Sequence, residues 1–331
     1  MKESFARYTR IVIASTIAVT GAAVAGPNIK FTQEDLKLPG KRGACFTLRD
    51  SESKKRGTWE ENLPKLEKLK PYWNYSWGCD YIRAQEKHIK SEFVPMTWAA
   101  RSSDRLSKKL EETVVPQIRR GKVKRLLAFN EPDGKEQANM TPEEALKYWP
   151  ILEKLGVPLC SPSPIHADRE WMKKFMDGVA KHNYRVDYVG VHSYYGANSE
   201  AFKKRLRKVY ELNGKRPLLI TEFAVADWNT KGDHKKNRTT PAEVLAFAKE
   251  VLPWMEEQDW ILGYSWFSFE MHSPQGYTSA LVDVDGSLTA LGEYYASVTN
   301  KNPRGNQSIK ADAAKKHLAK ALQAAKNRKK K

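Results

Sequence analysis

Between residues 43 and 298, short apolar runs alternate eight times with longer runs of helical character, and this rhythm constrains the fold more than any other feature. A short apolar run bounded by turn residues reads as a buried strand, and a longer segment with capping signals reads as a helix. The strands fall at 43–48, 72–77, 93–98, 125–129, 158–161, 188–193, 218–221 and 261–267. Helices are expected near 59–69, 103–119, 170–181, 200–212 and 289–298, with two more opening at Thr141 and Thr240. Thr141-Pro142-Glu143-Glu144 and Thr240-Pro241-Ala242-Glu243 are both capping boxes with proline at the first helical position. Pro116 should kink the helix that contains it, and Pro95 is awkward in a central strand. Eight strand–helix units fit a single α/β domain of the (β/α)8 TIM-barrel type. The rival, a doubly wound open sheet, usually carries a glycine-rich phosphate loop after its first strand, and Arg49-Asp50-Ser51-Glu52 is nothing like one.

Two of the strands end in glutamate. Leu126-Leu127-Ala128-Phe129-Asn130-Glu131 and Leu218-Leu219-Ile220-Thr221-Glu222 each run from apolar residues into a carboxylate. An unpaired carboxylate in a core is costly, so two at strand ends suggest a shared polar concavity. In a parallel barrel the carboxyl ends of the strands are where active sites are built, and paired carboxylates carry out glycoside hydrolysis. The chain also holds 10 Trp, 14 Tyr and 11 Phe, and such rings serve a sugar site or a large core equally well. No His-x-His or His-Glu cluster indicates a metal-dependent hydrolase, so neither metal nor cofactor is expected.

The ends of the chain have their own composition. Lys2, Arg7 and Arg10, the apolar residues 11–20 and Ala23-Val24-Ala25 form the three parts of a secretory signal peptide over residues 1–25. Residues 26–42 read as an extended lead-in, 43–300 as the catalytic domain and 301–331 as a basic tail. The tail holds eleven Lys or Arg against Asp312, or +10 of the net +18. A nucleic-acid role would rest on the tail alone, so none is expected of the domain. The tail is expected to be a solvated arm, dispensable for catalysis, that contacts polyanions through charge. A monomer is expected, either secreted or located in a periplasmic or extracellular space. Of Cys45, Cys79 and Cys160, the first and last fall in strands as core residues, and a Cys45–Cys79 bridge is left open.

Phe129-Asn130-Glu131-Pro132-Asp133 makes the chain recognisable. Asn-Glu-Pro at the end of the fourth strand resembles the acid/base motif of clan A glycoside hydrolases, and the longer motif resembles glycoside hydrolase family 128, endo-β-1,3-glucanases. Ile220-Thr221-Glu222-Phe223-Ala224 is similar to the nucleophile strand of that family, and Val94-Pro95-Met96 and Val191-His192-Ser193-Tyr194-Tyr195 to its third and sixth strands. The resemblance spans roughly residues 43–297. It implies that Glu131 is the general acid/base, Glu222 the nucleophile of a retaining mechanism, and Asn130 a partner of the sugar 2-hydroxyl. His192 and Tyr194 are expected beside the two glutamates, and Trp266 as a platform under the sugar at the cleaved bond. Trp77, Trp98, Tyr195 and Trp228 are expected to line other subsites, with Glu270 a surface or sugar-binding carboxylate. Ser193 stands where an aromatic is expected. Two functional classes fit: an endo-acting β-glucanase, or a barrel that keeps its sugar groove without catalysis. Another β-glycan is the alternative substrate.

Overall fold

The computed structural model describes residues 29–48, 57–81 and 85–299. The expected signal peptide and basic tail lie outside them. Among the described residues eight strands run in chain order: β1 (Arg42–Cys45), β2 (Trp73–Tyr75), β3 (Glu92–Phe93), β4 (Leu126–Leu127), β5 (Leu159–Cys160), β6 (Val189–Tyr195), β7 (Leu218–Val225) and β8 (Ile261–Trp266). The helices are α1 (Gln33–Leu36), α2 (Trp59–Leu69), α3 (Gln85–His88), α4 (Ser103–Thr113), α5 (Val115–Arg119), α6 (Pro142–Glu153), α7 (Glu170–Lys181), α8 (Ser199–Leu212), α9 (Pro241–Glu257) and α10 (Ala290–Ser297).

All strand pairs are parallel. Six strands stand in the order β3-β2-β1-β8-β7-β6, and β4 pairs with β5. Parallel bridges Met96↔Leu127 and Cys160↔Tyr188 join the two groups, so the ring closes as an eight-stranded barrel. Pro95 shortens β3 because it lacks an N–H, yet its carbonyl still accepts from Leu127 N at 2.9 Å. Pro116 divides the expected single helix into α4 and α5. Both expected capping boxes form, at the N-termini of α6 and α9.

Two apolar layers result. Inside the barrel, Cys45, Trp73, Tyr75, Met96, Leu127, Tyr188 and Leu219 pack together. Between barrel and helices lies the larger layer, which includes Phe223, Phe247, Trp266 and Tyr295. The three cysteines are free and buried, so Cys45 and Cys79 do not pair.

The lead-in is not simply extended. Thr32 caps α1, and Leu36 and Leu38 enter the barrel interior from its amino-terminal end. Arg125, 1% exposed, donates to the carbonyls of Leu36 at 2.8 Å and Lys37 at 3.0 Å, and to Glu92 Oε1 at 2.7 Å. Tyr188 OH adds a bond to the Leu36 carbonyl at 2.7 Å. This floor closes the end of the barrel opposite the strand-end glutamates.

Two register irregularities decide which side chains face inward. On β7 the pairs Val191↔Ile220 and His192↔Glu222 skip Thr221. This extra residue is a β-bulge, and it lets Thr221 and Glu222 both turn inward while Ile220 and Phe223 join the outer layer. On β8 the pairs Leu218↔Ile261 and Leu219↔Gly263 skip Leu262. Downstream of that bulge Tyr264 and Trp266 face the helices and Ser265 and Phe267 face the barrel, because a one-residue slip exchanges the faces of a strand. Gly263 sits at a close approach: a Cβ there would lie 3.1 Å from Leu219 and 3.2 Å from Trp73.

Candidate active site

At the carboxyl ends of the strands opens a cleft of about 800 Å³. Its walls include Trp77, Trp98, Asn130, Glu131, Tyr194, Tyr195, Glu222 and Trp228. Of the ten residues expected at the site, these eight line the cleft, and His192 lies just behind it.

Glu222 is 5% exposed. Its Oε1 accepts from Trp77 Nε1 at 2.7 Å and from Tyr75 OH at 3.1 Å, and its Oε2 accepts from Tyr194 OH. All three partners are donors, which matches an acceptor-only carboxylate. Burial and the charge of Glu222 push the Tyr75 and Tyr194 phenols well above their ordinary pKa, so both keep their protons. Trp77 reaches Glu222 from a left-handed backbone with φ of 55°.

Glu131 also adopts a left-handed backbone, with φ of 40°. Its N–H bonds the Ser163 carbonyl at 2.9 Å, and its own carbonyl accepts from Gly134 N at 2.9 Å, so a tight turn holds the residue there. A non-glycine residue in this region carries strain, which its surroundings must offset.

His192 stands between the two glutamates. Its Nδ1 lies 2.8 Å from Glu131 Oε1, and its Nε2 lies 3.5 Å from Glu222 Oε1. Burial works against a charge on this imidazole, but Glu222 and Glu131 outweigh it and raise its pKa above that of a free histidine. One atom from each of these three side chains falls within 4.8 Å of the others, a set that would also suit a metal ion. However, His192 presents opposite ring nitrogens to the two carboxylates, and Glu222 already accepts three hydrogen bonds. Of the two contacts only Nδ1–Glu131 is a hydrogen bond, through which those two groups share a proton; Nε2 has no hydrogen-bond partner among the described residues.

Asn130, next to Glu131, donates to Gln137 Oε1 at 3.3 Å. Its Oδ1 is buried without a partner among the described residues, and the side chain borders the cleft. Glu270 is exposed, pairs with His272 at 2.7 Å and stands apart from the cleft lining. Ser193 is buried, and strand alternation turns it away from the side that His192 and Tyr194 share.

Trp266 is a correction. It is fully buried in the outer layer, against Phe223 at 4.9 Å between ring centroids, and its Nε1 donates to the Ser279 carbonyl at 2.9 Å. The bulge on β8 gives its expected place to Phe267, which lines the cleft with Phe269. Tyr75 is the main residue that sequence reasoning missed. It lies two positions before Trp77, and strand periodicity puts the two on one face, a signal that was there to be read.

The family model described as "Glycosyl hydrolase catalytic core" matches residues 46–295. Comparison with curated proteins gave no match. Among solved structures, the chain is similar to an endo-β-1,3-glucanase of glycoside hydrolase family 128, subgroup I, from Amycolatopsis mediterranei, in complex with laminarihexaose. The identity is 25%, the TM-score 0.62, and the match covers 78% of this chain and 100% of that one. A subgroup II endo-β-1,3-glucanase from Sorangium cellulosum matches at 23% identity and TM-score 0.60, covering 79% of this chain and 100% of its own. A subgroup V exo-β-1,3-glucanase from Cryptococcus neoformans matches at 22% and 0.59, covering 78% and 98%. The last two show the shared fold. With the family model spanning most of the barrel, the chain belongs to the glycosyl hydrolase catalytic core family and is a glycoside hydrolase.

Proposed function

We propose that the chain is a retaining endo-β-1,3-glucanase in which Glu131 is the acid/base and Glu222 the nucleophile. The observation that supports the mechanism is the closeness of the two carboxylates: one oxygen of Glu131 and one of Glu222 lie within 4.8 Å of each other, compatible with the roughly 5–5.5 Å between carboxyl groups in retaining enzymes. Substrate and endo action rest on the likeness to the Amycolatopsis mediterranei enzyme with its bound laminarihexaose.

In this reading Glu222, held by Tyr75, Trp77 and Tyr194, attacks the anomeric carbon. The proton between Glu131 and His192 passes from Glu131 to the departing glycosidic oxygen. A glycosyl ester forms on Glu222. Water then enters, Glu131 takes its proton, and the hydroxide displaces Glu222 with the β-configuration restored. Asn130, with its free Oδ1 at the cleft, receives the sugar 2-hydroxyl. Residues 1–25 direct export and residues 301–331 act as a charged tether, both as extensions of the sequence reading.

The test uses Glu131→Ala and Glu222→Ala on laminarin. Each variant should lose activity by several orders of magnitude, and azide should restore turnover to Glu222→Ala with an inverted product. NMR of the first-formed anomer from the unmodified enzyme should show the β form. An initial α product, or near-normal turnover in either variant, would overturn the assignment. Cleavage of only a β-1,4 polymer would overturn the substrate.

A further inference from the structure

Two large aromatic side chains stand exposed at the cleft, Tyr195 at 41% and Trp228 at 60%. A ring in water swings between rotamers unless something holds it, and Tyr195 is held at two points. The Arg205 guanidinium, from α8, lies over the ring with its Cζ 4.2 Å from the centroid. The phenol oxygen lies 3.1 Å from His166 Nδ1. Arg205 is itself anchored: its Nη2 donates to Asp168 Oδ1 at 3.1 Å and approaches His166 Nδ1 at 3.3 Å. Because an arginine can only donate, that Nδ1 is an acceptor and the imidazole is neutral. Burial, with Arg169 and Arg205 nearby, lowers the His166 pKa in the same sense. Asp168 holds Lys208 on its other oxygen at 3.0 Å, and both Asp168 and Arg205 are mostly buried.

We propose that Arg205 is a positioning residue that fixes the Tyr195 ring as the platform of an outer sugar subsite, so that glucan chains long enough to reach it bind more tightly. The inference rests on the β-glucan reading above. The guanidinium covers one face of the ring and leaves the other for the apolar face of a pyranose. Asp168 acts one step further back, as the charge that keeps Arg205 flat against the ring. The preceding residue, Tyr194, bonds Glu222, so the platform is carried by the strand end that also helps hold Glu222.

The experiment measures kcat and KM on β-1,3-linked oligosaccharides of three and six glucose units for the unmodified protein, Arg205→Met, Arg205→Lys and Tyr195→Ala. Arg205→Met and Tyr195→Ala should raise KM for the hexamer by roughly three- to thirtyfold, the scale of a lost cation–π contact and the stacking it supports. They should leave kcat within about twofold and the trimer almost unaffected, and Arg205→Lys should recover part of the loss. Equal losses on both lengths, a fall in kcat alone, or an unchanged hexamer KM in Tyr195→Ala would overturn the proposal. Tyr195 is exposed, so its truncation leaves the core intact even if the arginine variants unfold. Calorimetry of hexamer binding separates this idea from the reaction assignment. An unmodified protein that binds the hexamer without cleaving it fails as an enzyme, while weaker binding by Tyr195→Ala would still support the platform.

Discussion

Replacing His192 with glutamine tests how the site tolerates two carboxylates so close together. With oxygens of Glu131 and Glu222 within 4.8 Å, Coulomb's law at an effective dielectric of about 20 gives a repulsion of ~3.5 kcal/mol when both are ionised. The His192 side chain is fully buried and the glutamates are 14% and 6% exposed, so solvent screens this little. A protonated imidazole between them offsets the repulsion, and glutamine keeps much of the bulk without the charge. Because the folded-state pKa of His192 is raised, its contribution to stability is complete below the free-histidine value of about 6.5 and is lost as pH rises through the folded value. The two proteins should therefore differ most in urea midpoint near pH 5.5, by up to about 3 kcal/mol, and the difference should shrink by pH 9. Urea unfolding at both pH values, followed by Trp fluorescence, measures it. A gap that is the same at pH 5.5 and pH 9 would mean that only packing was lost, and the electrostatic account would fail.

Trp266→Ala should lower stability by about 3–5 kcal/mol through loss of outer-layer packing, with KM for laminarin little changed in the molecules that remain folded; denaturant titration and kinetics together check it. Arg125→Met leaves the buried Glu92 side chain with only Lys124, 3.9 Å from its other oxygen, and should cost up to about 3–5 kcal/mol, read from the urea midpoint. A chain ending at Asn300 should keep its activity on soluble laminarin and bind anionic cell-wall material less. Binding by the full chain should fall as salt rises, and lost activity would show that residues 301–331 belong to the catalytic unit.

Much of the barrel was legible because its signals are local. Capping boxes at Thr141 and Thr240, the break at Pro116 and the apolar strand runs each act within a few residues. The glutamate pair was legible for a related reason: a carboxylate at the end of a buried run calls for an explanation wherever the strand lies. Strand facing was not legible at the bulges. Simple alternation from Leu219 would point Glu222 at the helices and alternation from Leu262 would point Trp266 into the barrel, and in both cases one unpaired residue reverses the result. A bulge depends on what the neighbouring strands offer, and those neighbours are far away in sequence. For Tyr75 the shared face with Trp77 was legible, but its partner was not, since the hydrogen bond to Glu222 crosses 147 positions of chain. The floor built by Leu36, Leu38 and Arg125 gave no local sign either, because its bonds to Arg125 span 88 and 89 positions.

The closing of the ring between β1 and β8 has a consequence for time. Gly43 pairs with Ser265, Lys41 bonds the carbonyls of Met255, Glu256 and Gln258, and Arg42 bonds that of Val298. The first strand to be synthesised therefore waits for the last, and contacts of such long range form slowly. Until then β1 presents an open edge, a template for pairing with other chains. Tyr75 and Trp77 come from the side of the barrel that depends on this closure, while Glu222 comes from β7. A nascent chain that has passed residue 222 already owns both glutamates and Tyr194 on the neighbouring β6, yet the other two donors to Glu222, Tyr75 and Trp77, reach it only when the circle shuts. On the proposed mechanism, hydrolysis would thus report the completion of folding, and a product cut short before β8 would carry both glutamates and remain inert.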